Sequence, residues 1–138
     1  MAGYSGTPLA QKLGFKSGDR VYLDNSPKHF RSLLATLPAG VRFVTKPLAP
    51  LAMVHVFLTR AAELDLKLPN YRKLIAENGV IWVSWPKKAA KEATDVTEDV
   101  VRARALAAGL VDVKVCAVDD VWSGLKLVIR LKDRGMKS

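Results

Sequence analysis

The sequence predicts a three-layer α/β domain with a mostly parallel sheet and a C-terminal antiparallel strand pair. Three observations lead there. Two short, almost unbroken apolar runs, Met53–Leu58 and Val80–Ser84, have the composition of strands covered on both faces. Stretches with helical spacing separate the strand-like runs, which implies parallel strands and right-handed crossovers. The last two strand-like runs, Val111–Val118 and Leu125–Leu131, leave no room for a helix between them and should pair antiparallel.

The bulk properties set the frame. At 138 residues the chain suits one domain, residues 1–138, with an N-terminal arm over 1–18 and a frayed tail over 132–138. Nearly half the residues are hydrophobic and a quarter are charged, which excludes a disordered class. The most apolar stretch, Leu48–Leu58, contains Pro50 and His55 and is too short to cross a bilayer, so no membrane span is expected. The opening Met1-Ala2-Gly3-Tyr4-Ser5-Gly6 lacks the pattern of a signal peptide, and the cytoplasm is the expected location. Cys116 is the only cysteine, so no internal disulfide and no thiolate metal cluster can form. With only His29 and His55 beside it, a structural zinc site is not expected. The formal charge of +9 favours anionic partners without choosing among them.

The elements follow in order. Leu9, Leu13 and Phe15 mark a short helix packed on the sheet, and Ser17-Gly18 turns into a first strand at Arg20–Leu23. Asp24-Asn25-Ser26-Pro27 reads as a helix start with Ser26 as cap. Phe30, Leu33, Leu34 and Leu37 supply the apolar face of that helix, and Pro38-Ala39-Gly40 ends it. Val41–Val44 is a second strand and Met53–Leu58 a third. Ala61–Leu68 and Asn70–Glu77 flank Pro69 as two helical pieces or one kinked helix, stopped by Asn78-Gly79. Val80–Ser84 is a buried strand, and Trp85-Pro86-Lys87-Lys88 opens a polar loop. Asp95 and Glu98 have the spacing of a capping box for a helix that buries Val96, Val100, Ala103 and Ala107 and stops at Gly109. The order β-α-β-β-α-β-α-β-β is Rossmann-like.

Two resemblances arise from these residues. The ending of helix, strand, loop and antiparallel strand, with Asn78-Gly79-Val80-Ile81-Trp82-Val83-Ser84 as a glycine-led strand, resembles class I S-adenosylmethionine-dependent methyltransferases over Arg20–Leu131. One strand-helix unit is missing after the second strand, so the fold it implies is a reduced methyltransferase-like one. The resemblance implies S-adenosylmethionine as cofactor. That class places a glycine-rich turn after its first strand, where this chain has Asp24-Asn25-Ser26-Pro27-Lys28. It expects a carboxylate after the second strand, where Thr45-Lys46-Pro47 stands, and some members carry Asn-Pro-Pro-aromatic where Leu58-Thr59-Arg60 stands. More specifically, Tyr4-Ser5-Gly6-Thr7-Pro8-Leu9, Trp85-Pro86-Lys87-Lys88, Thr97-Glu98-Asp99-Val100-Val101, Val115-Cys116-Ala117 and Trp122-Ser123-Gly124-Leu125 resemble a bacterial domain-of-unknown-function family across nearly the whole chain. That family implies no activity.

Open parallel sheets bind ligands beyond the carboxyl ends of their strands. That edge gathers Asp24, Asn25, Ser26 and Lys28, then Thr59 and Arg60, then Trp85, Lys87 and Lys88 as candidate ligand-binding residues. A helix N-terminus at Ser26, several cations and one flat ring would suit a nucleotide-like or phosphorylated ligand; otherwise Ser26 caps, Trp85-Pro86 packs and the lysines are solvated. Asp24, Ser26 and His29 lie too close along one turn to read as a hydrolytic triad. His55 alternates into an apolar strand as a hydrogen-bonded core residue, and Cys116 reads as an inert buried thiol. Lys87, Lys88 and Lys91 beside Trp85 form a small basic-aromatic patch, sparse for a nucleic-acid groove. Asp119, Asp120, Trp122 and Ser123 form a turn at a strand edge. The favoured reading is a non-catalytic or cryptic ligand-binding domain with a degenerate methyltransferase-like fold, recognising an anionic small molecule or a protein partner. Its alternatives are a methyltransferase with an unusual S-adenosylmethionine site and a basic nucleic-acid-associated module. The sequence does not set an oligomeric state.

Overall fold

In the computed structural model, which describes residues 7–135, the apolar runs become the inner strands of one six-stranded sheet. The elements are α1 (Leu9–Leu13), β1 (Arg20–Asp24), α2 (Phe30–Leu33), β2 (Arg42–Val44), β3 (Leu51–Phe57), α3 (Ala62–Leu74), β4 (Ile75–Pro86), α4 (Glu98–Ala107), β5 (Leu110–Ala117) and β6 (Trp122–Ile129). From β1 onward this is the order read from the sequence. The sheet runs β2-β1-β3-β4-β6-β5, with the first four strands parallel and β6 antiparallel to both of its neighbours. The mixed α/β sheet with its C-terminal antiparallel pair is as expected.

Alternation along β3 and β4 divides the core between the two faces of the sheet. Val54, Val56, Ile81 and Val83 pack under Leu64 and Leu68 of α3 and Val101 and Ala105 of α4. Met53, Phe57 and Trp82 face the other way, against Leu13, Phe30 and Leu34. Trp82 also anchors α1, because its Nε1 donates to Leu13 O at 2.9 Å. At Gly124 an added Cβ would lie 3.1 Å from Ser84 Oγ and 3.2 Å from the Trp82 ring, so a larger residue would crowd β6 against β4.

Several local expectations are corrected. The helix after β1 is four residues long and begins at Phe30, not at Ser26. Its first turn closes through Phe30 N–H to Pro27 O at 3.0 Å, and no side chain caps it. Ala35 then takes φ 53, which ends helical backbone before Leu37. α3 is one helix with Pro69 inside, and Asn78-Gly79 does not stop it; the helix ends at Leu74 and the chain is already strand at Ile75, opposite Leu51. The cap of α4 is Thr97, whose Oγ1 accepts from Val100 N–H at 3.2 Å, not Asp95. Asp95 instead accepts from Ala61 N–H at 2.7 Å at the start of α3, a tertiary use of the same chemistry. α4 buries Val101 and Ala105 and leaves Ala103 and Ala107 exposed, because strand β5 and helix α3 meet the other side of the helix. Gly109 does stop it, at φ +82.

The last strand is Trp122–Ile129, starting three residues and ending two residues earlier than expected, and Leu131 is 79% exposed in a 3₁₀ turn over Leu131–Asp133. Arg134 Nε returns to Ile129 O at 3.0 Å. The expected arm at Tyr4-Ser5-Gly6 and the end of the tail, Met136–Ser138, lie outside the described residues.

Candidate functional site

Because β1, β3 and β4 are parallel, their carboxyl ends, Asp24, Phe57 and Pro86, share one edge. The chain moves from β1 outward to β2, then back across to β3, so the crevice over β1 and β3 is the topological switch point where such sheets bind ligands. The structure places most of the candidate residues along that edge, but their side chains have other partners.

Asp24 Oδ2 accepts from Tyr71 Oη at 2.5 Å and pairs with Lys67 Nζ at 3.0 Å, so this carboxylate is tied to α3. Burial and then the hydrogen bond to Asp24 push the Tyr71 hydroxyl far above its ordinary value. Burial opposes the charge on Lys67, yet its bonds to Asp24 and Glu63 outweigh that and raise it. Asn25 sits at φ 60, and its Nδ2 donates to Phe57 O at 3.2 Å. The amide therefore spans from the end of β1 to the end of β3, across the switch point itself. Ser26 lies four residues before α2, so the four-residue helix offers no N-terminal anion site there, correcting that expectation. Thr59 serves through its carbonyl, which accepts from Thr94 Oγ1 at 2.7 Å and Asp95 N–H at 3.3 Å.

Trp85 is the clearest correction. It is 7% exposed and packs in the α3/α4 core, the third member of the alternation Ile81, Val83, Trp85, so it offers no ring to a ligand. Lys87 is also committed, its Nζ donating to Asp119 O and its N–H to Val121 O, both at 2.8 Å. Lys28, Arg60 and Lys88 are exposed. The basic-aromatic patch thus loses its aromatic member.

The structure adds a pair that sequence reasoning kept apart. His29 Nε2 lies 2.9 Å from Asp119 Oδ2, joining the α2 turn to the β5–β6 loop. Asp119 Oδ1 accepts from Val121 N–H at 2.8 Å and Trp122 N–H at 2.7 Å. Burial works against the Asp119 charge, but His29 and these two amides outweigh it and hold the carboxyl below its ordinary value. His29 thus pairs with Asp119, not with Asp24, and the hydrolytic grouping does not assemble. No signal in the sequence links positions 90 residues apart.

The two remaining titratable candidates behave as expected. His55 is fully buried with Nε2 2.7 Å from Ser84 Oγ, its ring stacked on Phe57 at 4.2 Å, and burial lowers its pKa to about 3. Burial pushes the Cys116 thiol up against the opposing pull of Lys12 and Lys114.

A cavity of about 250 Å³ opens at the opposite, amino-terminal edge, lined by Gly14, Lys16, Arg20, Met53, Asn78 and Val80 among others. Lys126 lies nearby, close to the turn after α1. No group of three or more potential metal ligands occurs among the described residues, and no helix there is long and apolar enough to cross a membrane.

Residues 43–131 match the model of a family described as "Protein of unknown function (DUF3052)". No curated protein matches the chain in sequence. Among solved structures, the chain is similar to a possible exported protein from Bordetella parapertussis, with TM-score 0.63, 10% identity, and coverage of 88% of this chain and 65% of that one. It is also similar to a SAM-dependent methyltransferase from Aquifex aeolicus, with TM-score 0.59, 14% identity and 87% coverage of each chain. A third is Aeropyrum pernix fibrillarin in complex with S-adenosylmethionine, with TM-score 0.57, 12% identity, and coverage of 91% and 70%. At such identities the likeness establishes a methyltransferase-like fold and nothing about chemistry.

The residues present do not fit the cofactor that this fold implies. The turn after β1 has no glycine to let backbone approach a ligand, the Asn25 amide spans the switch point, and the Asp24 carboxylate is bonded to Tyr71 and Lys67.

Proposed function

This chain belongs to the DUF3052 family, and from its own residues we propose a non-catalytic binding domain that keeps a methyltransferase-like scaffold. It recognises an anionic small molecule or the acidic face of a protein partner across the carboxyl edge of the sheet. The observation that carries this reading is the Asn25–Phe57 bond across the switch point, which ties the end of β1 to the end of β3 where a cofactor of such folds would approach. Lys28, Arg60 and Lys88, exposed along the same edge, supply the attraction, consistent with the net charge of +9. Asp24, Asn25, Ser26, Thr59 and Lys87 shape and hold the edge. Trp85 supports it from the core.

The test is calorimetric titration with S-adenosylhomocysteine at low salt, beside a thermal melt. No heat and no shift in melting temperature up to millimolar ligand is the expected result. Saturable binding would overturn the reading, since a ligand at a hundredfold excess over Kd adds about 2.7 kcal/mol of stability, which is readily seen. In a second arm, polyglutamate serves as the acidic probe. Its binding should weaken with salt and fall several-fold in the K28A/R60A/K88A variant; unchanged binding would count against this edge.

The fold itself favours a second reading, a methyltransferase with an unusual cofactor site. Positive titration with S-adenosylhomocysteine would select it.

A further inference from the structure

We propose a second, separate site on the α1 face of the sheet, where Lys16, Lys114 and Lys126 bind the oxyanion of a small phosphorylated molecule. The strand register supplies the first argument. Lys114 and Lys126 stand directly opposite each other on β5 and β6, and Trp82 on β4 is the next residue in the row. All three therefore share the face on which α1 lies. Like charges directly opposite on neighbouring strands repel, an arrangement that costs stability unless something negative lies between them.

Among the described residues no carboxylate forms an ion pair with Lys16, Lys114 or Lys126. Asp112, two residues from Lys114, is bonded to Arg102 at 3.1 Å. Asp19, the nearest acid along the chain to Lys16, lines the same cavity and accepts from the Lys16 backbone N–H at 2.9 Å, without an ion pair to any of the three lysines. Lys114 Nζ donates once, to Lys12 O at 3.1 Å, which leaves two of its three donors for a ligand. Lys126 is half-buried, held below its ordinary value first by burial and then by the charges of Lys114 and Lys16.

Gly14 links the lysine pair to the cavity, because it lines the cavity and lies beside Lys126. Gly14 ends α1 at φ +87, and a Cβ there would lie 3.4 Å from Lys126 Nζ. Gly14 and Lys16 also line the 250 Å³ cavity, together with Met53 and Val80. That volume is just below the usual range of small-molecule pockets, roughly 300–1,000 Å³. A phosphate head at the lysines with a compact body in the cavity satisfies both halves of the site. Arg20, also in the lining, spends one of its donors on Pro50 O at 3.0 Å.

The probe is inorganic pyrophosphate, titrated into the full chain at low salt by calorimetry, with a thermal melt alongside. Saturable binding and a raised melting temperature are expected. Affinity should drop by about tenfold or more in K126Q and in K114Q, the loss of one charge-assisted contact. Without pyrophosphate, K126Q should melt higher than the natural sequence, because the cross-strand repulsion is gone. The K28A/R60A/K88A variant, altered at the carboxyl edge, should keep the full response, which separates this site from that edge. Absence of binding at millimolar pyrophosphate, or a response retained by both K126Q and K114Q, would overturn the proposal.

Discussion

His55 should make this protein acid-sensitive in a pH range where carboxylates contribute little. The imidazole is fully buried between Phe30, Phe57 and Trp82, with one nitrogen on Ser84 Oγ and Nδ1 without a partner. Placing a charge there is costly, and burial lowers the pKa from 6.5 to about 3. In the unfolded chain the ring is in water. Below pH 6.5 the unfolded state takes up a proton that the folded state refuses until about pH 3, so stability falls as the pH drops through this window. The slope approaches 1.36 kcal/mol per pH unit, which gives about 2.5 kcal/mol lost between pH 7.5 and pH 4.5 and about 5 kcal/mol at the full shift. Against a total stability of about 5–15 kcal/mol for a domain, the effect is large. The assay is urea unfolding followed by tryptophan fluorescence at a series of pH values, comparing the natural sequence with H55Q. Glutamine can keep the bond to Ser84 but does not titrate. The natural sequence should lose about 2.5 kcal/mol more than H55Q across that interval. Parallel curves would refute a buried neutral imidazole. Asp119, the other group with a lowered pKa that acid should destabilise, titrates below 3.8 and falls outside the window.

Other expectations rest on single contacts. Gly124→Ala should cost about 1–3 kcal/mol in urea unfolding, because the added methyl crowds the fully buried Ser84 and Trp82 side chains. Asn25→Gly should cost about 1 kcal/mol, the bond to Phe57 O alone, and Asn25→Ala about 1–2 kcal/mol more, since alanine resists a φ of 60. Equal losses would mean that the bond carries the whole effect. Thr97→Ala should remove about 1 kcal/mol through the α4 cap, whereas Asp95→Ala should loosen the start of α3, with amide exchange at Ala61 as the readout.

Part of the candidate site was legible and part was not. That Asp24, Asn25, Thr59, Arg60 and Lys88 share an edge follows from strand ends and chain order, which sequence reading supplies. That Asn25 reaches Phe57 and Asp24 reaches Tyr71 depends on contacts 32 and 47 residues apart, which no local pattern encodes. Trp85 is different. The period-two row Ile81, Val83, Trp85 marks it as a core residue, and only the neighbouring Pro86-Lys87-Lys88 suggests a loop. The pairing of Lys114 with Lys126 was not legible, because a bulge between Asp112 and Lys114 shifts the register by one residue part-way along the hairpin.

By itself the sequence determined the layer order and strand directions. Apolar runs as dense as Met53–Leu58 and Val80–Ser84 are stable only when covered on both faces, and the short link after β5 permits only an antiparallel return. Tertiary structure decided what local signals leave balanced. Asn78-Gly79 can stop a helix, yet here Ile75 is already paired with Leu51 and the chain has become strand before reaching it. Asp95 and Thr97 could each cap α4, and Asp95 is drawn away by the free Ala61 N–H of another helix. The buried face of α4 was likewise set by where α3 and β5 meet it. Such choices differ by about 1 kcal/mol locally, less than a single well-packed side chain contributes, so the core settles them.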